Sequence, residues 1–134
     1  MTLLLDTHTI LWLTEQVPRL GRSARQACDA ALAANELGVP TIVFYEAGLL
    51  LRRGRVEGPS SVRIWRAQLL SFGVREVPLS PDITMMAAEF DDLHGDPLDR
   101  IIVATALYNE AVLLTADRNI LSWPGGLRRQ DARR

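Results

Sequence analysis

Two stretches of this chain share one grammar: a short run of aliphatic residues that closes on an aspartate and leads into a helical pattern. Leu3-Leu4-Leu5-Asp6 precedes a dense apolar stretch over 8–15, and Leu113-Leu114-Thr115-Ala116-Asp117 precedes a brief polar turn. Apolar runs this short read as strands buried on both faces, which implies a parallel sheet covered by helices on each side. The intervening sequence alternates in the same sense. Pro18 and Gly21 punctuate a turn, and Ser23 is placed to cap an alanine-rich helix reaching about Ala34. Residues 36–40 read as a short strand at the sheet edge. Thr41 is placed to cap a helix over 42–53, which stops at Gly54. Gly58-Pro59-Ser60 opens another helix reaching about Phe72, and 74–79 reads as a strand. Ser80 and Pro81 read as N-cap and first residue of a helix to about Phe90, and Asp96 and Pro97 repeat that signal for a helix ending near Glu110. A strand over 111–115, a helical turn over 117–121 and a polar tail over 128–134 that begins with a last strand complete the pattern. The expected fold is α/β: a three-layer α/β/α sandwich with a central, mostly parallel sheet. It forms one domain over 1–134, partly irregular from about residue 122.

Composition narrows the chemistry. The chain has 134 residues, 48% apolar and 23% charged, enough for a core without disulfide or zinc staples and unlike disordered or collagen-like sequence. A net charge of −1 argues neither for nor against a nucleic-acid partner. Cys28 stands alone, so an internal disulfide and a thiolate zinc site are excluded and a reducing compartment is expected. The start lacks a basic region and meets Asp6 after three leucines, so no signal peptide is expected. No apolar run approaches the roughly 20 residues that span a bilayer, and a cytoplasmic location without membrane contact is expected. All 15 basic residues are arginine. Chemistry that requires lysine is therefore removed: Walker-type phosphate loops, Schiff bases and receiver-type phosphoacceptor sites.

Four carboxylates stand out. On a helix, Glu46 has Ile42, Val43, Leu49 and Leu50 as its i±3 and i±4 neighbours, so it borders a buried stripe. An unpaired carboxylate there costs several kcal/mol or becomes protonated. Either an arginine such as Arg100 or a metal ion would relieve it. Asp6, at a strand-to-helix junction, suits an N-cap, and Asp117 suits a turn cap. Asp96 reads as an N-cap, with Asp99 at N3 bordering the apolar face that carries Ile102 and Val103. In a parallel sheet Asp6 and Asp117 emerge on one edge, where the helices carrying Glu46 and Asp99 also begin. Ligands in such sheets sit beyond that edge. Acids gathered there raise one another's pKa, and a divalent cation removes the cost. Oxygen donors without convergent His or Cys select Mg²⁺ or Mn²⁺ over zinc.

Four segments in this order resemble the PIN-domain family, and within it the VapC-type toxins of bacterial toxin–antitoxin pairs. They are Leu4-Leu5-Asp6-Thr7-His8-Thr9-Ile10-Leu11-Trp12; Tyr45-Glu46-Ala47; His94-Gly95-Asp96-Pro97-Leu98-Asp99-Arg100 with the apolar run after it; and Leu114-Thr115-Ala116-Asp117-Arg118. The resemblance spans about residues 2–121. It implies an Mg²⁺- or Mn²⁺-dependent endoribonuclease that hydrolyses phosphodiester bonds with metal-activated water. Asp6 and Asp99 would be the main ligands, with Glu46 and Asp117 completing the site. Thr115 would offer a hydroxyl to bound water or phosphate, and Arg100 and Arg118 would attract RNA at the rim, joined by Arg52, Arg53, Arg55, Arg128 or Arg129. Family relatives often carry an aromatic residue where this chain has Leu98, and a small polar one where it has His8. His8 is read as packed or on the surface, and His94 as a loop residue. A cognate antitoxin and a homodimer are the implied partners; Ile10 to Leu13 and Leu49-Leu50-Leu51 supply aliphatic surface for them.

Rival readings separate on single residues. A receiver-like site needs the missing lysine. A haloacid-dehalogenase-like phosphatase needs an aspartate where His8 stands. The remaining alternative is a non-catalytic PIN-fold module that binds RNA or protein.

Overall fold

The computed structural model describes residues 1–15, 17–54 and 61–134. Among these residues the order is β1 (Leu3–Leu5), α1 (Thr7–Glu15), α2 (Arg22–Ala33), β2 (Leu37–Pro40), α3 (Ile42–Arg52), α4 (Val62–Ser71), β3 (Arg75–Val77), α5 (Pro81–Glu89), α6 (Pro97–Tyr108), β4 (Val112–Thr115), α7 (Arg118–Ser122) and β5 (Arg129–Asp131). The strands form one sheet in the order β3-β2-β1-β4-β5. Every neighbouring pair is parallel, with Leu3 opposite Leu37 and Val112, and Leu114 opposite Gln130. Helices cover both faces, so the expected three-layer α/β/α sandwich is the observed one.

The aliphatic runs form strands because they are buried from both sides: Leu4, Leu5, Leu113 and Leu114 are fully inaccessible. Each such side chain contributes roughly 1.5–3 kcal/mol of apolar burial. A single register of β1 between β2 and β4 satisfies all of them at once. Ile10 and Leu11 of α1 are also core residues, whereas Leu13, Leu49, Leu50 and Leu51 remain half-buried.

Three local expectations are corrected. Residues 37–40 do not lie at the sheet edge; β2 sits between β3 and β1 and all four of its residues are buried. Gly38 permits this, since a Cβ there would stand 3.2 Å from both the Arg75 carbonyl and a Leu4 methyl. Ser23 does not cap α2. Gly21 is the N-cap, and the amides of Gly21 and Ser23 donate instead to the carbonyls of Ala132 and Arg134, at 2.9 and 2.8 Å. Thr41 is itself helical and makes no capping bond, because its hydroxyl donates to Glu76 Oε2 at 2.7 Å, tying α3 to β3.

Other local signals act as expected. Ser80 accepts from the Ile83 amide with Pro81 in the first turn, and Asp96 accepts from the Leu98 amide. Gly54, with φ of +65°, ends the turn after α3 in the left-handed region. Helix α4 begins at Val62 with Ser61 as N-cap; the expected opening at Gly58-Pro59-Ser60, and Arg55, lie outside the described residues. No described helix is long and apolar enough to cross a membrane.

Candidate metal centre

Because all strands run the same way, the residues just beyond their carboxyl ends meet at one edge. Asp6 comes directly after β1, Asp117 comes two residues after β4, and α3 and α6 begin at the same edge. The result is a cleft of about 270 Å³ lined by the carboxylates of Asp6, Glu46, Asp96, Asp99 and Asp117. Thr7, His8, Trp12, Ala116 and Arg133 complete its wall. All four acids expected at the site are therefore gathered there, with Asp96 as a fifth. His8 lies exposed at this rim, and His94 is an exposed loop residue outside it.

Each acid is also held locally. Asp6 is only 7% exposed. Its Oδ1 accepts from the Thr9 amide at 3.0 Å, as an N-cap does, and its Oδ2 accepts from the Thr115 hydroxyl. Glu46 Oε1 accepts from the Thr7 hydroxyl, which joins α3 to α1. Asp117 caps α7 through its Oδ1 and the Ile120 amide at 3.1 Å. Asp96 caps α6 and so places Asp99 in that helix's first turn. The capping roles legible in the sequence and the convergence on one cleft are thus compatible, because a carboxylate has oxygen lone pairs for both.

The electrostatics carry a clear strain. Burial raises the pKa of Asp6 above its ordinary value, and the Thr115 and Thr9 hydrogen bonds and the nearby His8 oppose the rise. Asp99 is pushed up to about 7, first by burial and then by the charges of Asp117, Glu46, Asp96 and Asp6. Among the described residues, no ion pair relieves any of these acids. Arg100 in particular does not neutralise Glu46.

By charge and donor type the cleft suits a hard divalent cation. It is not a preformed cage. Among the described residues no three His, Cys, Asp or Glu side chains are arranged to hold a metal ion. Like charges without a cation separate and take neutral partners, as Asp6 does with Thr115 and Glu46 with Thr7.

The structure redistributes the expected substrate-binding residues. Thr115 is fully buried. Its hydroxyl donates to Asp6 and accepts from the Asp117 amide at 3.0 Å, so it braces two acids and presents nothing to substrate. Arg100 points away from the cleft. Its guanidinium donates to the carbonyls of Ala87 (2.9 Å), Leu93 (2.6 Å), Phe90 (2.9 Å) and Ala88 (3.4 Å), closing the end of α5 onto the loop before α6. A planar fork with several donors suits that task, and it leaves no grip for RNA. Arg118 is exposed on α7 but does not line the cleft. Arg129 is engaged by the Ile120 and Gly125 carbonyls. Arg133, which the motif pattern did not single out, is the one arginine among the described residues that lines the cleft.

Arg100 yields a prediction. Arg100→Ala should lower unfolding free energy by about 2 kcal/mol, since several carbonyls lose their donor. Arg100→Lys should recover less than half of this, because one ammonium cannot reproduce the fork. Urea denaturation measures both; a loss below about 0.5 kcal/mol would return Arg100 to the rim.

The PIN domain family profile matches residues 3–124. Ribonuclease VapC22 of Mycobacterium tuberculosis (strain ATCC 25618 / H37Rv) is 34% identical over 122 residues, covering 90% of this chain and 91% of that protein. Among solved structures, VapBC2 from Rickettsia felis, bound to a DNA fragment from its promoter, superposes with a TM-score of 0.73 at 14% identity, covering 97% of this chain and 98% of that one. FitAcB from Neisseria gonorrhoeae superposes with a TM-score of 0.67 at 15% identity, covering 98% of each chain. At those identities the two structures speak for the fold alone.

Proposed function

Because this chain belongs to the PIN domain family, we infer that it is an endoribonuclease, the toxin of a toxin–antitoxin pair, that hydrolyses RNA phosphodiester bonds with a divalent cation held in its acidic cleft. One observation carries the reading: five carboxylates converge at the sheet edge with no arginine paired to any of them among the described residues. A polyanionic substrate cannot approach such a cleft unless a cation accompanies it. The 34% identity to a protein named as a ribonuclease supports RNA as the substrate.

Asp6, Asp99, Glu46 and Asp117 would hold Mg²⁺ or Mn²⁺. Bound there, the ion would supply charge neutralisation and Lewis acidity toward a phosphate oxygen and the attacking water. The protein's own part is positional. Thr115 fixes Asp6 and the Asp117 backbone in one contact, and Thr9 holds the second oxygen of Asp6. Asp99, its pKa raised to about 7 by burial and the neighbouring acids, holds a proton below that pH, and there a cation must displace it. Water adds to phosphorus as the 3′-oxygen leaves with a proton, giving a 5′-phosphate and a 3′-hydroxyl.

The chain acts as one domain over 1–134 in the cytoplasm. It pairs with a cognate antitoxin and a second copy of itself. The half-buried Leu13, Leu49, Leu50 and Leu51 offer apolar surface for those partners.

The alternative reading is a non-catalytic module that binds RNA or protein. Cleavage separates the two. The purified chain should cut single-stranded RNA with Mg²⁺ or Mn²⁺ and stop with EDTA. Asp6→Asn should abolish cutting while leaving the fold intact, since asparagine still accepts from the Thr9 amide. RNA binding without metal-dependent cutting would establish the module instead.

A further inference from the structure

We propose that Arg133 is the phosphate-gripping residue of the cleft, delivered to it by docking of residues 132–134 against the start of α2. This rests on the nuclease reading for its substrate, a single-stranded RNA backbone. The residue lies beyond the segment that matches the family profile, residues 3–124.

Three observations carry the assignment. First, the placement is built. β5 runs parallel to β4, and the Ala132 amide donates to the Thr115 carbonyl at 2.9 Å, so the chain leaves the sheet at the edge where Asp117 leaves it. The turn is then held by the Arg133 amide on Asp131 Oδ1 at 2.9 Å and by the Gly21 and Ser23 amides on the Ala132 and Arg134 carbonyls. Gly21 is required for this approach, because a Cβ there would fall 2.1 Å from the Arg134 backbone.

Second, the guanidinium is aimed by neutral groups. Nη1 donates to the Ala116 carbonyl, and the carbon of the guanidinium stands 5.9 Å from the centroid of the Trp12 ring. Third, its charge is unspent. Among the described residues Arg133 pairs with no carboxylate, although five acids line the same cleft. An arginine present to quench the acids would pair with one of them. Held by a carbonyl and a ring, it instead keeps N–H groups for a phosphate, which it can bind in bidentate fashion. The acids and the arginine thus divide the work: the acids take a cation, and Arg133 takes the substrate anion.

The test uses binding and turnover together. With Mg²⁺ present, a fluorescent single-stranded RNA oligonucleotide is titrated against the non-cutting Asp6→Asn chain and against the same chain carrying Arg133→Gln, with fluorescence anisotropy as the readout. Affinity should fall about tenfold, and the slope of log affinity against log salt should decrease by about one, as expected for one lost phosphate contact. With Mg²⁺ and the acids intact, Arg133→Gln should raise KM about tenfold with kcat within about threefold, and Arg133→Lys should recover part of the loss. Gly21→Ala should reproduce the binding loss and add less than about twofold on top of Arg133→Gln, because both remove the same contact. Unchanged affinity and salt slope in Arg133→Gln, or faster turnover, would overturn the assignment. Absence of RNA cleavage by the parent chain would overturn the nuclease reading while leaving the binding result to judge Arg133.

Discussion

In metal-free buffer at pH 8, Asp99→Asn should melt about 2–6 °C above the parent chain, the shift that roughly 1 kcal/mol produces in a domain of this size. The same variant should cut RNA at least ~10²-fold more slowly. A substitution that stabilises the fold and removes activity marks a group kept at a cost to stability. The folded carboxyl has its pKa raised from 3.8 to about 7 by burial and by Asp117, Glu46, Asp96 and Asp6. Its proton is therefore bound more tightly in the folded chain than in the unfolded one. The stabilisation tied to that proton is complete below pH 3.8 and is lost as pH rises through about 7. Asparagine carries no charge and escapes the loss. The gap between variant and parent should therefore narrow as pH falls from 8 toward 5. Asp99 is partly solvated, so only a fraction of the full shift reaches stability. Equal melting temperatures across that pH range would show that Asp99 feels no such field.

Divalent cation should reverse the same strain. Mg²⁺ or Mn²⁺ at about 100 times its dissociation constant should stabilise the parent by about 2.7 kcal/mol at pH 8. Below about pH 7, where Asp99 holds its proton, apparent affinity should fall about tenfold per pH unit, because the cation must displace that proton. Calorimetry in buffers of different ionisation enthalpy should record about one proton released per ion near pH 6. Affinity independent of pH between 5.5 and 8 would remove Asp99 from the coordination set. The present arrangement, with no three acids among the described residues set to hold an ion, further implies that the ion organises the side chains on arrival. Asp99→Asn should therefore weaken binding well beyond the loss of one surface charge.

The readings that succeeded were those with local causes. Asp96 before Pro97, and Ser80 before Pro81, announce helix starts because the cap lies two or three residues from the amide it serves. Glu46 announces a special setting because its helical neighbours are all aliphatic. The runs before Asp6 and Asp117 announce buried parallel strands, and parallel strands deliver the residues at their carboxyl ends to one edge. The cleft was legible for that reason.

Thr115, Arg100, Ser23 and β2 went differently because their partners are distant in sequence. Thr115 meets Asp6 across 109 positions. Arg100 meets carbonyls that no side-chain pattern marks. Ser23 lost its capping role to a backbone arriving from residues 132–134. Arg133 carried no signal among 15 arginines.

The amino-acid order alone thus determined that the chain would make a helix-covered parallel sheet with acids at the strand ends, since burial periodicity and capping act within a few residues. The tertiary structure alone decided which polar groups face the acids and which are consumed bracing the backbone. Hydrogen bonds and charges act between atoms that only folding makes neighbours, and nothing in the spacing of an arginine or threonine states whom it will meet.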